Sequence, residues 1–204
     1  MKHDGENLVK SEWEVREIPH AQAKLFIEKH HYSKGAANTS VYRHGLFKRD
    51  GNTLFGACLW MPPTAAAAKS IYPENFSRLL TLSRLAISPE VPRNGATFLL
   101  SRSVRAIAKG KKWEALVTYA DEWQGHSGAI YAALGWEYQG KTKPSPVYVC
   151  QKTGKVRGKK STTTNWTKEE MEGMGRKFIG NFPKHRYFKY LGFKGLDREA
   201  RGLV

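Results

Sequence analysis

Apolar and polar positions alternate near the start of the chain, where Trp13, Val15 and Ile18 mark Glu12 to Ile18 as a first strand. The period then changes. Ala21 to Lys29 sets Ala21, Leu25 and Ile27 near one face, as a helix does, and runs into His30-His31-Tyr32 ahead of Ser33-Lys34-Gly35. Val41 to Phe47 and Thr53 to Trp60 read as two strands joined through Lys48 to Asn52, where Asp50-Gly51 is a strong hairpin signal. Pro62-Pro63 ends the second strand, because proline cannot donate to a ladder. Thr64 to Phe76 reads as an irregular connection despite its alanine run, and Leu79 to Ile87 as the next strand.

From Gly95 to Gly110, Ala96, Leu99, Leu100, Val104, Ile107 and Ala108 fall at helical spacing, and Gly110 can cap the end. Leu116 to Tyr119 is a short buried strand. Ser127 to Leu134 is a short helix that Ser127 can cap and Gly135 stops. Thr167 and Glu170 offer a capping box to a later helix, which Gly173 and Gly175 weaken. The fold class predicted is α/β (α+β): a mixed central sheet flanked by helices, with a basic C-terminal extension.

Charge sharpens this picture. Lys and Arg number 34 against 18 Asp and Glu among 204 residues, a net +16. That exceeds what solubility needs, and phosphate is the commonest partner of a basic surface. Residues 152–204 hold 14 Lys or Arg and 5 acids, so this quarter carries +9 of the total, and seven aromatics are interleaved with it. Such a segment can meet phosphates with its cations and bases with its rings; the same rings can equally pack a terminal helix and tail on the core. The chain is therefore divided into a first domain over 1–151, which carries the candidate chemistry below, and a basic, aromatic-rich extension over 152–204, packed on that domain and contacting nucleic acid. Only Cys58 and Cys150 occur, which excludes a disulfide framework and a cysteine-based zinc site. Met1 to Lys10 has no apolar signal-peptide core, and no apolar run approaches the roughly 18 residues of a membrane span. A reduced, intracellular setting without a membrane is expected.

Several residues could carry chemistry. Pro92-Arg93-Asn94-Gly95-Ala96 precedes a helix N-terminus, where backbone N–H groups can hold a phosphate. Asp121 follows a buried strand, at the end where open α/β sheets bind ligands, or else forms a local turn. Arg84, inside a strand, needs a carboxylate such as Asp121 or a ligand as partner. Tyr131 puts a phenol on a short helix, able to protonate a leaving group or simply to fill the core. His31, Tyr32 and Asp121 would make a hard-metal site if they met. Trp60, ahead of Met61-Pro62-Pro63, leaves carbonyls beside an aromatic that could grip an extruded base, unless it only ends a strand.

Taken together, His31-Tyr32, the run Leu82 to Ser88, the turn and helix from Pro92 to Leu100, Tyr119-Ala120-Asp121 and Gly125 to Trp136 resemble a GNAT-fold acyltransferase over Trp13 to Val149. More specifically the chain resembles the Mom DNA-modification proteins of Mu-like phages. The resemblance implies conversion of the exocyclic amine of adenine in double-stranded DNA to a carbamoylmethyl (acetamido) derivative, in the cytoplasm of a bacterial host. That modification shields phage DNA from restriction. It implies functional roles for His31, Tyr32, Arg84, Asp121 and Tyr131, a cofactor site at Arg93, Asn94, Gly95, Ala96 and Ser127, and iron at His31, Tyr32 and Asp121. In one respect the chain departs from the GNAT pattern. Bulky Phe98 stands where the second small residue of the pyrophosphate turn belongs, which puts coenzyme A in question.

The donor is thus either acetyl-coenzyme A or glycyl-tRNA. A glycyl group on the adenine amine is an isomer of the carbamoylmethyl product, and a basic protein suits a tRNA. The expected cleft is lined by His31, Tyr32, Trp60, Arg84 and Asp121. Asp121 or a nearby histidine would take the proton, Arg84 would stabilise the oxyanion and Tyr131 would protonate the leaving group. Two other classes remain open: an acetyl-coenzyme A-dependent N-acetyltransferase of protein or small-molecule amines, and a non-enzymatic DNA-binding protein on a GNAT scaffold.

Overall fold

The computed structural model describes residues 6–36, 38–158 and 165–192. Parts of the basic segment, residues 159–164 and 193–204, lie outside them. The first strand, β1 (Trp13–Glu17), leads to helix α1 (His20–His30), which Pro19 opens. Strands β2 (Tyr42–Lys48), β3 (Gly56–Met61) and β4 (Leu79–Ile87) follow. Between β3 and β4 the sequence reading needs correction. Thr64 caps a real helix, α2 (Ala65–Ile71), through its side chain, and the 3-10 helix Pro73–Arg78 follows. Four consecutive alanines supply the propensity that the missing apolar period concealed. Helix α3 (Gly95–Lys109) matches its predicted span, whereas β5 (Ala115–Asp121) runs on to include the carboxylate.

Helix α4 (Ala129–Ala133) is shorter than expected, and Gly128 rather than Ser127 caps it. Gly128 has φ +85°, and a Cβ there would stand 2.2 Å from the Tyr187 ring. Strands β6 (Glu137–Lys141), β7 (Ser145–Cys150) and β8 (Val156–Arg157) come next. The Thr167–Glu170 capping box forms as predicted and opens helix α5 (Lys168–Gly173). Strands β9 (Arg176–Phe182) and β10 (Lys184–Tyr190) are the last elements among the described residues.

The main sheet has seven strands in the order β1-β2-β3-β4-β5-β10-β6, antiparallel except for the parallel pair β4 and β5. A smaller sheet, β8-β7-β9, is inserted between β6 and β10. Strand β10 lies between β5 and β6, so part of the basic segment that composition sets apart is built into the central sheet. One face is covered by α3 and α4 over a core containing Leu80, Leu82, Leu99, Leu100, Ile107 and Leu116. The other is covered by α1 over Ala57, Leu59 and Ala86, and by α2 and its following turn over Leu79 and Val117. No helix among the described residues is long and apolar enough to cross a membrane.

Candidate functional site

The site follows from how β4 and β5 part company. Their parallel register runs only from Leu79 opposite Ala115 to Leu82 opposite Thr118. At that point β4 carries a bulge: Leu59 of β3 faces Arg84 and Trp60 faces Leu82, leaving Ser83 as the extra residue. Ser83 Oγ donates to the Leu59 carbonyl at 3.0 Å and fixes the kink. A bulge bends its own strand, and beyond it β4 stays with β3 while β5 stays with β10 down to the pair Asp121–Lys184. The gap is a cavity of about 800 Å³ whose walls come from both faces of the sheet. Residues 30–32 and Lys184 line it on one side, Ala96 and the stretch 127–131 on the other. The volume is that of a small-molecule or cofactor site.

All five residues singled out as catalytic line this one cavity. Tyr32 donates its phenolic hydrogen to Asp121 Oδ2, joining residues 89 positions apart in sequence. Asp121 Oδ1 is held by Lys184 Nζ at 2.6 Å, with the carboxylate side chain 9% exposed. His31 Nδ1 accepts the Ser33 backbone N–H at 3.1 Å. Burial, then the charges of Arg84, His126 and Lys184, push its pKa down to about 3. The ring is therefore neutral at physiological pH with its proton on Nε2, a donor toward any ligand. Tyr131 is buried among Trp136 and Tyr187. Burial raises its pKa, so the phenol keeps its proton.

Arg84 departs from expectation. Its Nε donates to the Gly35 carbonyl at 2.7 Å and its Nη1 to the Ser83 carbonyl, so it ties the loop after α1 to the bulge rather than pairing with Asp121.

Two other expectations are corrected. Trp60 does not line the cavity: it is fully buried, stacks on Trp136 and donates its indole N–H to Ser103 Oγ at 2.7 Å. Its carbonyl accepts the Val41 N–H at 2.7 Å, so it is not offered to a base. Of the cofactor set, only Ala96 and Ser127 reach the cavity. Arg93, Asn94 and Gly95 meet the N-terminal segment instead: Leu8 N–H donates to the Arg93 carbonyl, and Asn94 Nδ2 donates to Asn7 Oδ1. Gly95 makes room for Val91, whose Cγ1 would lie 2.2 Å from a Cβ at that position.

The donors at His31, Tyr32 and Asp121 do not fit the iron that the resemblance implies. Both oxygens of Asp121 are engaged, one by an ammonium, and the outward nitrogen of His31 carries a proton. No group of three or more His, Cys, Asp or Glu converges among the described residues. Sequence reasoning missed Lys184, which was one of 14 cations in a segment read as an extension; only its register opposite Asp121 singles it out.

The architecture matches N-acetyltransferases of known structure at low identity. The ribosomal-protein-S18-alanine N-acetyltransferase of Escherichia coli aligns over 91% of this chain and 97% of its own, with TM-score 0.53 and 11% identity. A putative acetyltransferase of Salmonella typhimurium, solved with its cofactor acetyl-CoA, aligns over 91% and 97%, with TM-score 0.56 and 10% identity. An N-acetyltransferase of Staphylococcus aureus Mu50 aligns over 88% and 99%, with TM-score 0.54 and 11% identity. These likenesses establish the acyltransferase fold predicted from the sequence. No curated protein matches the chain in sequence. The model of the Mom protein family matches residues 12–201.

Proposed function

The chain belongs to the Mom protein family, and from that premise we propose that it is a DNA-modifying transferase acting on the exocyclic amine of adenine in duplex DNA. The observation that carries this reading is the convergence of Tyr32, Asp121, Lys184, His31 and Tyr131 on a single cavity opened by the parting of β4 and β5. A cavity walled from both faces of the sheet can take a donor from one side and an extruded base from the other. The net charge of +16 holds duplex phosphates without regard to sequence.

The adenine amine is a weak nucleophile, because its lone pair is delocalised into the ring. As its nitrogen bonds to the acyl carbon, an amine proton passes to the Tyr32 oxygen while the Tyr32 proton passes to Asp121. In this reading the His31 Nε2–H, left as the ring's donor by the Ser33 contact at Nδ1, donates to the developing oxyanion. Tyr131 protonates the leaving oxygen or sulfur as its bond to the acyl carbon breaks.

A glycyl donor completes the chemistry by isomerisation. The glycyl amine attacks the ring carbon, a five-membered spiro intermediate forms, and cleavage of the original ring carbon–nitrogen bond leaves the carbamoylmethyl amine. An acetyl group lacks the nitrogen this product needs. The resemblance to an acetyltransferase solved with acetyl-CoA keeps acetyl-coenzyme A as the second donor to test.

Expression of the chain in a bacterium, followed by mass analysis of digested DNA after feeding labelled glycine, tests both points. Label in a carbamoylmethyl adenine is the expected result. An acetylated adenine would replace the glycyl donor by acetyl-coenzyme A, and unmodified adenine with folded protein present would defeat the proposal. An N-acetyltransferase of protein or small-molecule amines predicts instead acetyl-coenzyme A turnover without DNA.

A further inference from the structure

Beside the cavity, a large aromatic side chain stands outside the apolar clusters of the described residues. Trp123 follows Asp121 by two residues and is half-exposed, yet it belongs to none of the three apolar clusters of the described residues. Its ring stands edge-on to Tyr32, with centroids 6.0 Å apart, just beyond the cavity wall that Tyr32 provides. Its second ring neighbour is Phe182, the last residue of β9, with centroids 6.4 Å apart. Phe182 is likewise half-exposed and outside the clusters. Its position is specifically accommodated: Gly180 lies beneath the ring, where a Cβ would stand 2.8 Å from Phe182 Cε2. His126 meets Tyr32 edge-on from a further direction at 5.8 Å.

Charge identifies what such rings would hold. Lys184 follows Phe182 by two residues and lines the cavity together with Arg84. The acid beside Trp123, Glu122, is offset by Lys141 Nζ at 2.7 Å. A half-exposed indole among cations is the arrangement that stacks on bases while phosphates are neutralised nearby. We propose that Trp123, backed by Phe182, is a stacking shelf for the nucleobase adjacent to the adenine taken into the cavity. The inference rests on the reading of that cavity as the place where a DNA base is handled. It adds the small inserted sheet, through Phe182, to the DNA-binding surface.

The test uses the full chain and a duplex in which an unpaired adenine has 2-aminopurine as its neighbour. Binding of the unaltered protein should lower the 2-aminopurine emission. Trp123→Ala should leave that emission bright and weaken binding about fivefold to a hundredfold, while Trp123→Phe should keep most of both. Equal quenching and affinity in Trp123→Ala would overturn the shelf. A second measurement needs no change at Trp123. In Trp166→Phe, the other four tryptophans are 5% exposed or less, so Trp123 is the accessible emitter. Its emission should be quenched by the duplex; an unchanged emission, or quenching by coenzyme A and not by DNA, would also overturn it. Unmodified adenine in producing cells together with this quenching would defeat the transferase reading and leave the shelf standing. Modified adenine without quenching would defeat the shelf alone.

Discussion

Replacing Lys184 by methionine keeps an unbranched side chain one atom shorter and removes its charge from Asp121. The ion pair spans 2.6 Å, with the lysine side chain 41% exposed and the aspartate 9%. At that separation two unit charges attract by about 6 kcal/mol at an effective dielectric constant near 20, and by about 1.6 kcal/mol in bulk water. With the lysine partly exposed and the aspartate buried, the attraction lies between these limits, at about 3–4 kcal/mol, and ordering a long side chain costs about 1–2 kcal/mol. A net coupling of about 1–3 kcal/mol results. The assay is a double-mutant cycle in urea with Lys184→Met, Asp121→Asn and the pair combined. A coupling below about 0.5 kcal/mol, the level of an ordinary surface pair, would refute the reasoning. In the transferase reading Lys184 is a positioning residue. DNA modification by Lys184→Met should fall about 100-fold beyond any loss of DNA affinity, the scale of a misplaced catalytic group, and Lys184→Arg should restore part of it.

Three further outcomes are expected. Tyr131→Phe keeps the packing against Trp136 and Tyr187 but removes the proton donor; modification should drop about 10²–10⁴-fold with an unchanged melting temperature, and retained activity would remove Tyr131 from the mechanism. Ser103→Ala deprives the buried Trp60 indole and His44 Nδ1 of their shared partner, now at 2.7 and 2.8 Å, and should lower stability by about 2–4 kcal/mol in urea; a loss under about 0.5 kcal/mol would show that the network relaxes without cost. Acid should destabilise the fold through His31 and His44, whose pKa values burial lowers. The unfolded chain takes up these protons first, so stability falls as pH drops below 6.5, down to about 3 for His31, by up to about 1.4 kcal/mol per pH unit for each. A flat stability profile between pH 6.5 and 5 would contradict the buried, neutral state of both rings.

The sequence by itself determined the elements whose signals are local. The helical spacing of Leu99, Leu100, Val104 and Ile107 places α3, the apolar run from Leu79 to Ile87 gives β4, and the Thr167–Glu170 capping box opens α5. Residue types able to do acid–base chemistry, with the resemblance they carry, also picked out His31, Tyr32, Asp121 and Tyr131. Tertiary structure decided what those side chains meet. Tyr32 reaches Asp121 across 89 residues, and Lys184 reaches it because β10 enters the sheet beside β5, a strand pairing that local periodicity does not encode. Trp60 reads the same in sequence whether it grips a base or fills a core; the side of the sheet it faces buried it. The cavity exists because one extra residue, Ser83, bends β4 away from β5, and a bulge is defined only by the strand across from it.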